Sequence, residues 1–123
     1  MPIAQLTDAP HFEAGAIHFR PLAVPSRGSA ELATWRAELP AGASSGVHSL
    51  DHEQLMVVSE GAVTLHTGAT AVTAHAGDVL ILPPDTEVEL RNETSSPASA
   101  TVVSPVGFLA TAGGHTFAPP WSL

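Results

Sequence analysis

Apolar side chains recur at every second position in short runs, and each run is cut by Gly, Pro or a Ser/Thr cluster; no long segment carries an i, i+3, i+4, i+7 stripe. Period-two patterning of this kind excludes a helical fold and predicts many short strands. Residues 16–24 place Ile17 and Phe19 on one face and His18 and Arg20 on the other. In 30–39 the inward set is Ala33, Trp35, Ala37 and Leu39, and Pro40 ends the strand because it cannot donate to a ladder. The run 54–59 is apolar on both faces and reads as a central strand, with a turn at 60–61 leading into 62–67. Strands follow at 70–75 and at 78–82, the latter stopped by Pro83 and Pro84. The segment 86–92 alternates most cleanly, with Thr86, Val88, Leu90 and Asn92 opposite Glu87, Glu89 and Arg91, so Val88 points inward; a last strand spans 99–106.

These short strands joined by turns predict an all-β sandwich or barrel. With 123 residues, one domain over 1–123 is expected, its core at 16–106. Residues 107–123 form a Gly/Pro-rich tail that packs either on the barrel, covering its opening with Phe108, Phe117 and Trp121, or at a dimer contact.

Charge narrows the function. The formal net charge is −8, lysine is absent, and the strong cations are Arg20, Arg27, Arg36 and Arg91. A surface this acidic repels phosphate, so neither nucleic acid nor an anionic membrane is an expected partner. No apolar run approaches the roughly 20 residues of a membrane span, and the N-terminal residues lack a basic segment followed by an apolar one, so a cytoplasmic protein is expected. Cysteine and tyrosine are both absent, which removes thiolate ligands, a thiol nucleophile and a phenolic acid.

Gly42 lies six residues before His48, Gln54 six after it, and Gly61 follows; a second framework runs from Gly77 through Pro83, Asp85 and Val88 to Asn92. These positions resemble the two motifs of the cupin superfamily, G-x5-H-x-H-x3-E-x6-G and G-x5-P-x-G-x2-H-x3-N, across about residues 16 to 106. The resemblance implies a single-domain jelly-roll β-barrel of the RmlC-like type, and a homodimer in which segment 16–24 pairs between subunits. It assigns metal-ligand positions to His48, Leu50, Gln54 and Val88. Only His48 is unchanged; a Gln carbonyl can still coordinate a divalent ion, whereas Leu50 and Val88 offer no donor. His52 is the candidate third donor, since it lies in the turn leading to Gln54; the alternative places it in an exposed turn beside Asp51 and Glu53.

Among the other histidines, His66 is expected to face outward unless the register slips by one, and His75 to be a solvated edge residue. His11 and His18 are read as structural or surface groups, while His115 either closes over the pocket or stays in solvent. Arg36 either pairs with Glu38 outside or meets an anionic group near the mouth.

Three readings follow. In the first, a metal-free barrel binds a small apolar or aromatic molecule through Trp35, Leu50, Gln54, Met56, Val88, Leu90 and Phe108, and His48 is the catalytic acid/base of an isomerisation, cyclisation or dehydration. In the second, His48, Gln54 and His52 hold Zn, Mn, Fe or Ni for a dioxygenase or cyclase reaction. In the third, the barrel is a non-enzymatic ligand sensor.

Overall fold

The computed structural model describes residues 2–123. Twelve strands are present: β1 (Phe12–Ala14), β2 (Ile17–Pro21), β3 (Leu32–Leu39), β4 (Ser49–Leu50), β5 (Gln54–Glu60), β6 (Ala62–Thr67), β7 (Thr70–His75), β8 (Val79–Leu82), β9 (Glu89–Arg91), β10 (Ala98–Pro105), β11 (Ala110–Ala112) and β12 (His115–Phe117). Among the described residues there is no α-helix, and none long and apolar enough to cross a membrane; three single 3-10 turns complete the chain. The strands that alternation did not signal are β1, β4, β11 and β12, each only two or three residues long and so without a readable period.

One layer is a six-stranded antiparallel sheet in the order β1-β2-β3-β10-β5-β8. The facing layer comprises two three-stranded sheets, β7-β6-β9 and β12-β11-β4. Bridges from Ser44 to Arg91 and from His48 to Val88 join them, because the segment entering β4 pairs along the free edge of β9. The result is the jelly roll the alternation and the glycine framework imply.

Face parity determines what is buried. On β3, Ala33, Trp35, Ala37 and Leu39 all face the core, as their alternation requires. β5 corrects its expectation: it lies between β10 and β8, yet buries one face only, through Gln54, Met56 and Val58, while Val57 is 37% exposed because no layer covers the outer side. Fully buried aliphatics such as Leu39, Leu82, Val58 and Val63 each contribute about 1.5–3 kcal/mol.

Two motif residues have structural work in the loops. Asn92 is buried; its amide donates to Leu39 O (2.9 Å) and Ser96 O (2.7 Å), and its Oδ1 accepts from Thr94 N (3.0 Å) and Thr94 Oγ1 (2.7 Å), closing the β9–β10 turn. Gly61 has φ +71°, and a Cβ there would lie 2.5 Å from Pro97 O. Asp85, where the second motif calls for glycine, adopts a left-handed φ of 53°, a conformation Asp tolerates better than most residues.

Ser44 Oγ donates to Glu89 Oε2 (2.5 Å) while Arg91 donates to Glu89 Oε1 (2.8 Å), tying the 44–48 segment to β9. The Arg91 bond, followed by the Ser44 bond, lowers the Glu89 carboxyl from 4.5 to about 2.

Two predictions follow from these contacts. Gly61→Ala combines strain with a backbone clash and lowers stability by about 2–4 kcal/mol in urea unfolding, whereas Gly42→Ala, strained at φ +78° but in open space, costs about 1 kcal/mol. Equal costs would refute the role of the Pro97 contact. Because the folded pKa of Glu89 is depressed, its stabilisation is present above about 4.5 and is lost as pH falls through about 2. Glu89→Gln should therefore shallow the acid limb of a Tm-against-pH curve without abolishing it, since Asp51 and Glu93 are lowered in the same direction.

Candidate functional site

Between the layers lies a cavity of about 170 Å³. β3 supplies Trp35, Ala37 and Leu39 to it, β5 supplies Gln54 and Met56, and the facing layer supplies His48, Leu50 and Leu90. The tail folds back over the mouth, with Pro119 and Trp121 against the barrel. Trp121 stacks on Phe19 with centroids 3.9 Å apart and planes 2° from parallel; Trp35 and Phe108 stack at 5.6 Å and 19°. Both tryptophans of the chain therefore line one pocket.

Among the described residues, His48 is the only titratable side chain lining it. Its backbone exchanges both hydrogen bonds with Val88 (2.9 and 2.8 Å), which fixes the direction of the side chain. Nδ1 lies 3.0 Å from Gly46 O and 3.5 Å from Ser45 Oγ. A carbonyl only accepts, so Nδ1 carries the hydrogen and the neutral ring keeps its lone pair on Nε2. Nε2 has no hydrogen-bond partner among the described residues, and that leaves it able to take a proton from a bound molecule.

Gln54 is the second polar group. Its Nε2 donates to Ser104 Oγ at 3.1 Å, and Ser104 in turn donates to Pro105 O at 3.2 Å, so the serine oxygen can only accept from the amide. This relay orients the amide nitrogen toward β10 and leaves the Gln54 carbonyl oxygen as the free acceptor.

Asp51 secures the tail side. Leu109 N donates to Asp51 Oδ1 (2.7 Å) and Asp51 N donates to Leu109 O (3.0 Å), pinning the segment that carries Phe108. The Leu109 amide, then the His52 ring, holds this carboxyl below its ordinary value.

Trp35, Leu50, Gln54, Met56, Leu90 and Phe108 thus meet His48 around one cavity. Val88 is buried and bridges His48 but is not among the residues that line the cavity. His52 is turned away, with Nδ1 2.8 Å from Asp51 Oδ1 and its side chain 51% exposed. His66 binds Glu93 at 2.9 Å, His75 and His115 are exposed, and none of the three reaches the cavity. Arg36 Nε lies 3.7 Å from Glu38, outside the barrel.

Sequence reasoning missed Ser104 and the Asp51 clamp. The parity of β10, which places Ser104 in line with Val102, signalled an inward hydroxyl; nothing local to Asp51 signals a bond 58 residues away.

At the four ligand positions implied by the motifs, the barrel offers one imidazole and one amide oxygen beside two aliphatic side chains. His52 is engaged elsewhere, so the donors present do not make the three-ligand set of a zinc or facial-iron centre.

A model of the cupin domain family matches residues 35–104. A 57-residue stretch is 39% identical to mannose-6-phosphate isomerase 1 of Arabidopsis thaliana, covering 46% of this chain and only 13% of that protein. Among solved structures, a polyketide cyclase from Streptomyces resistomycificus superposes with a TM-score of 0.75 at 19% identity, over 85% of this chain and 79% of the other. An RmlC-like cupin from Shewanella frigidimarina gives 0.71 at 17%, covering 84% and 88%. A sugar phosphate isomerase from Silicibacter pomeroyi gives 0.70 at 20%, covering 93% and 83%. At these identities the structural likeness establishes the fold alone, and with the family match over most of the barrel it identifies this chain as a member of the cupin family.

Proposed function

We propose that this cupin takes a small aromatic or apolar ketone into its barrel and that His48 moves a proton on it without a metal in the cavity. The observation that carries the reading is the lone Nε2 of His48 in a pocket otherwise lined almost wholly by hydrocarbon. The size of the pocket limits the guest. A cavity of about 150 Å³ lined by aliphatic and aromatic groups accepts benzene, so one or two rings suit the space.

The chemistry is proton abstraction next to a carbonyl. Nε2 takes the hydrogen, the C–H pair moves to form the C=C bond of an enolate, and the carbonyl oxygen receives the charge. Gln54 Oε1 accepts a hydrogen bond from a hydroxyl on the guest and so orients it. The imidazolium then returns the proton to another carbon, completing an isomerisation, or gives it to a departing hydroxyl, completing a dehydration or a cyclising condensation. The likeness to a polyketide cyclase supports the last of these.

Sugar phosphates, named for two of the similar proteins, suit the pocket poorly. No arginine lines it: Arg27 bonds backbone carbonyls of Leu22, Asp8 and Gln5, Arg91 bonds Glu89, and Arg36 stands against Glu38. A phosphate there would lack a cationic partner.

The test uses 2-tetralone, a two-ring ketone with an acidic CH2. It should quench tryptophan fluorescence, because Trp35 and Trp121 both face the guest, while mannose 6-phosphate should not. Exchange of its C1 hydrogens in D2O, followed by NMR, should be accelerated by the chelator-treated protein. His48→Ala should lower that acceleration about 10²–10⁴-fold with binding nearly unchanged. Acceleration that vanishes with chelator would favour a metal-dependent reaction; binding with no acceleration would leave a sensor; and an absence of quenching would overturn the pocket assignment.

A further inference from the structure

Outside the barrel, His11, Glu13 and His18 bring three donor atoms together. His11 Nε2 and His18 Nδ1 are 2.8 Å apart, His18 Nδ1 and Glu13 Oε1 3.4 Å, and His11 Nε2 and Glu13 Oε1 3.7 Å. The arrangement arises from the β1–β2 hairpin. Glu13 pairs directly with His18 across the hairpin, and His11 shares the face of Glu13 two positions before it. Ile17 and Phe19 point into the barrel cavity, so His18 between them points out. This cluster is therefore separate from the pocket of His48.

The triangle has the size of a metal face. In a tetrahedral zinc site with ligands at about 2.0–2.2 Å, neighbouring donors lie about 3.3–3.6 Å apart, inside the 2.8–3.7 Å span seen here. Two imidazoles and one carboxylate with a fourth position open to solvent also match the chemistry zinc prefers. Without an ion, two imidazole nitrogens this close must share a hydrogen, one donating and the other accepting. An ion between them lets both lone pairs point inward, with the hydrogens on the other ring nitrogens. On the far side of His18, β3 places Glu38 directly opposite, a second carboxylate on the same outer face, although Arg36 offsets part of its charge.

We infer that His11, Glu13 and His18 form a Zn²⁺ site on the outer face of the β1–β2 hairpin, with its fourth position open. Such an ion ties the edge strand β1 to β2 and stabilises the hairpin by mass action.

The experiment is calorimetric titration of ZnCl2 into the tag-free, chelator-treated full chain, with Tm measured alongside. One equivalent should bind, and Tm should rise. His11→Ala, Glu13→Gln and His18→Ala should each weaken binding at least about tenfold and remove the Tm rise, whereas His48→Ala should leave both intact. All three outer positions are exposed or half-buried, so these variants should fold. Wild-type protein without stoichiometric binding would overturn the site, as would binding indifferent to His11 and His18. Binding abolished by His48→Ala alone would move the ion into the barrel and overturn the metal-free reading of the pocket as well.

Discussion

The two backbone hydrogen bonds exchanged by His48 and Val88 are the junction on which the site depends. Without them the segment 42–48 would be an ordinary loop, and the two small sheets of the second layer would be unconnected. With them, together with Ser45 N to Leu90 O and Gly42 N to Asn92 O, the loop becomes a strand edge, and side-chain direction follows from pairing. His48 and Leu50 then share a face, and the imidazole enters the cavity with its Nδ1 already committed to Gly46 O.

Hydrocarbon at positions 50 and 88 changes what that imidazole can do. A histidine among several donors is held by an ion and has no lone pair to spare. Here Nε2 is left free, and the apolar lining strengthens the few polar contacts a guest can make. The same lining provides no partner for a strongly charged guest. The cavity is thus short of polar groups, and one of the few it has, the Gln54 amide, is held in a single sense by Ser104.

Much of this was legible in the sequence because strand parity is a local property. Alternation in 30–39 and 86–92 identified Trp35, Leu90 and the inward direction of Val88 without any tertiary information. It could not reveal that Val88 is absent from the cavity lining, because strand parity gives the direction of a side chain and not the extent of the cavity. The short strands β1, β4, β11 and β12 were illegible for a related reason: two or three residues have no period, and they are strands only because a partner edge is available. The double-sided apolar run of β5 misled for the opposite reason, since Val57 is hydrophobic on a face that nothing covers.

Parity also explains where donor side chains can gather in such a chain. A strand of a closed barrel has two faces, and substitution of ligands on the inner one does not constrain the outer one. The residues adjacent to the cavity-lining Ile17 and Phe19 face solvent, where burial imposes no cost on charge and imidazole and carboxylate can converge freely. The inner face of this hairpin carries Ile17 and Phe19, and its outer face brings His11, Glu13 and His18 together.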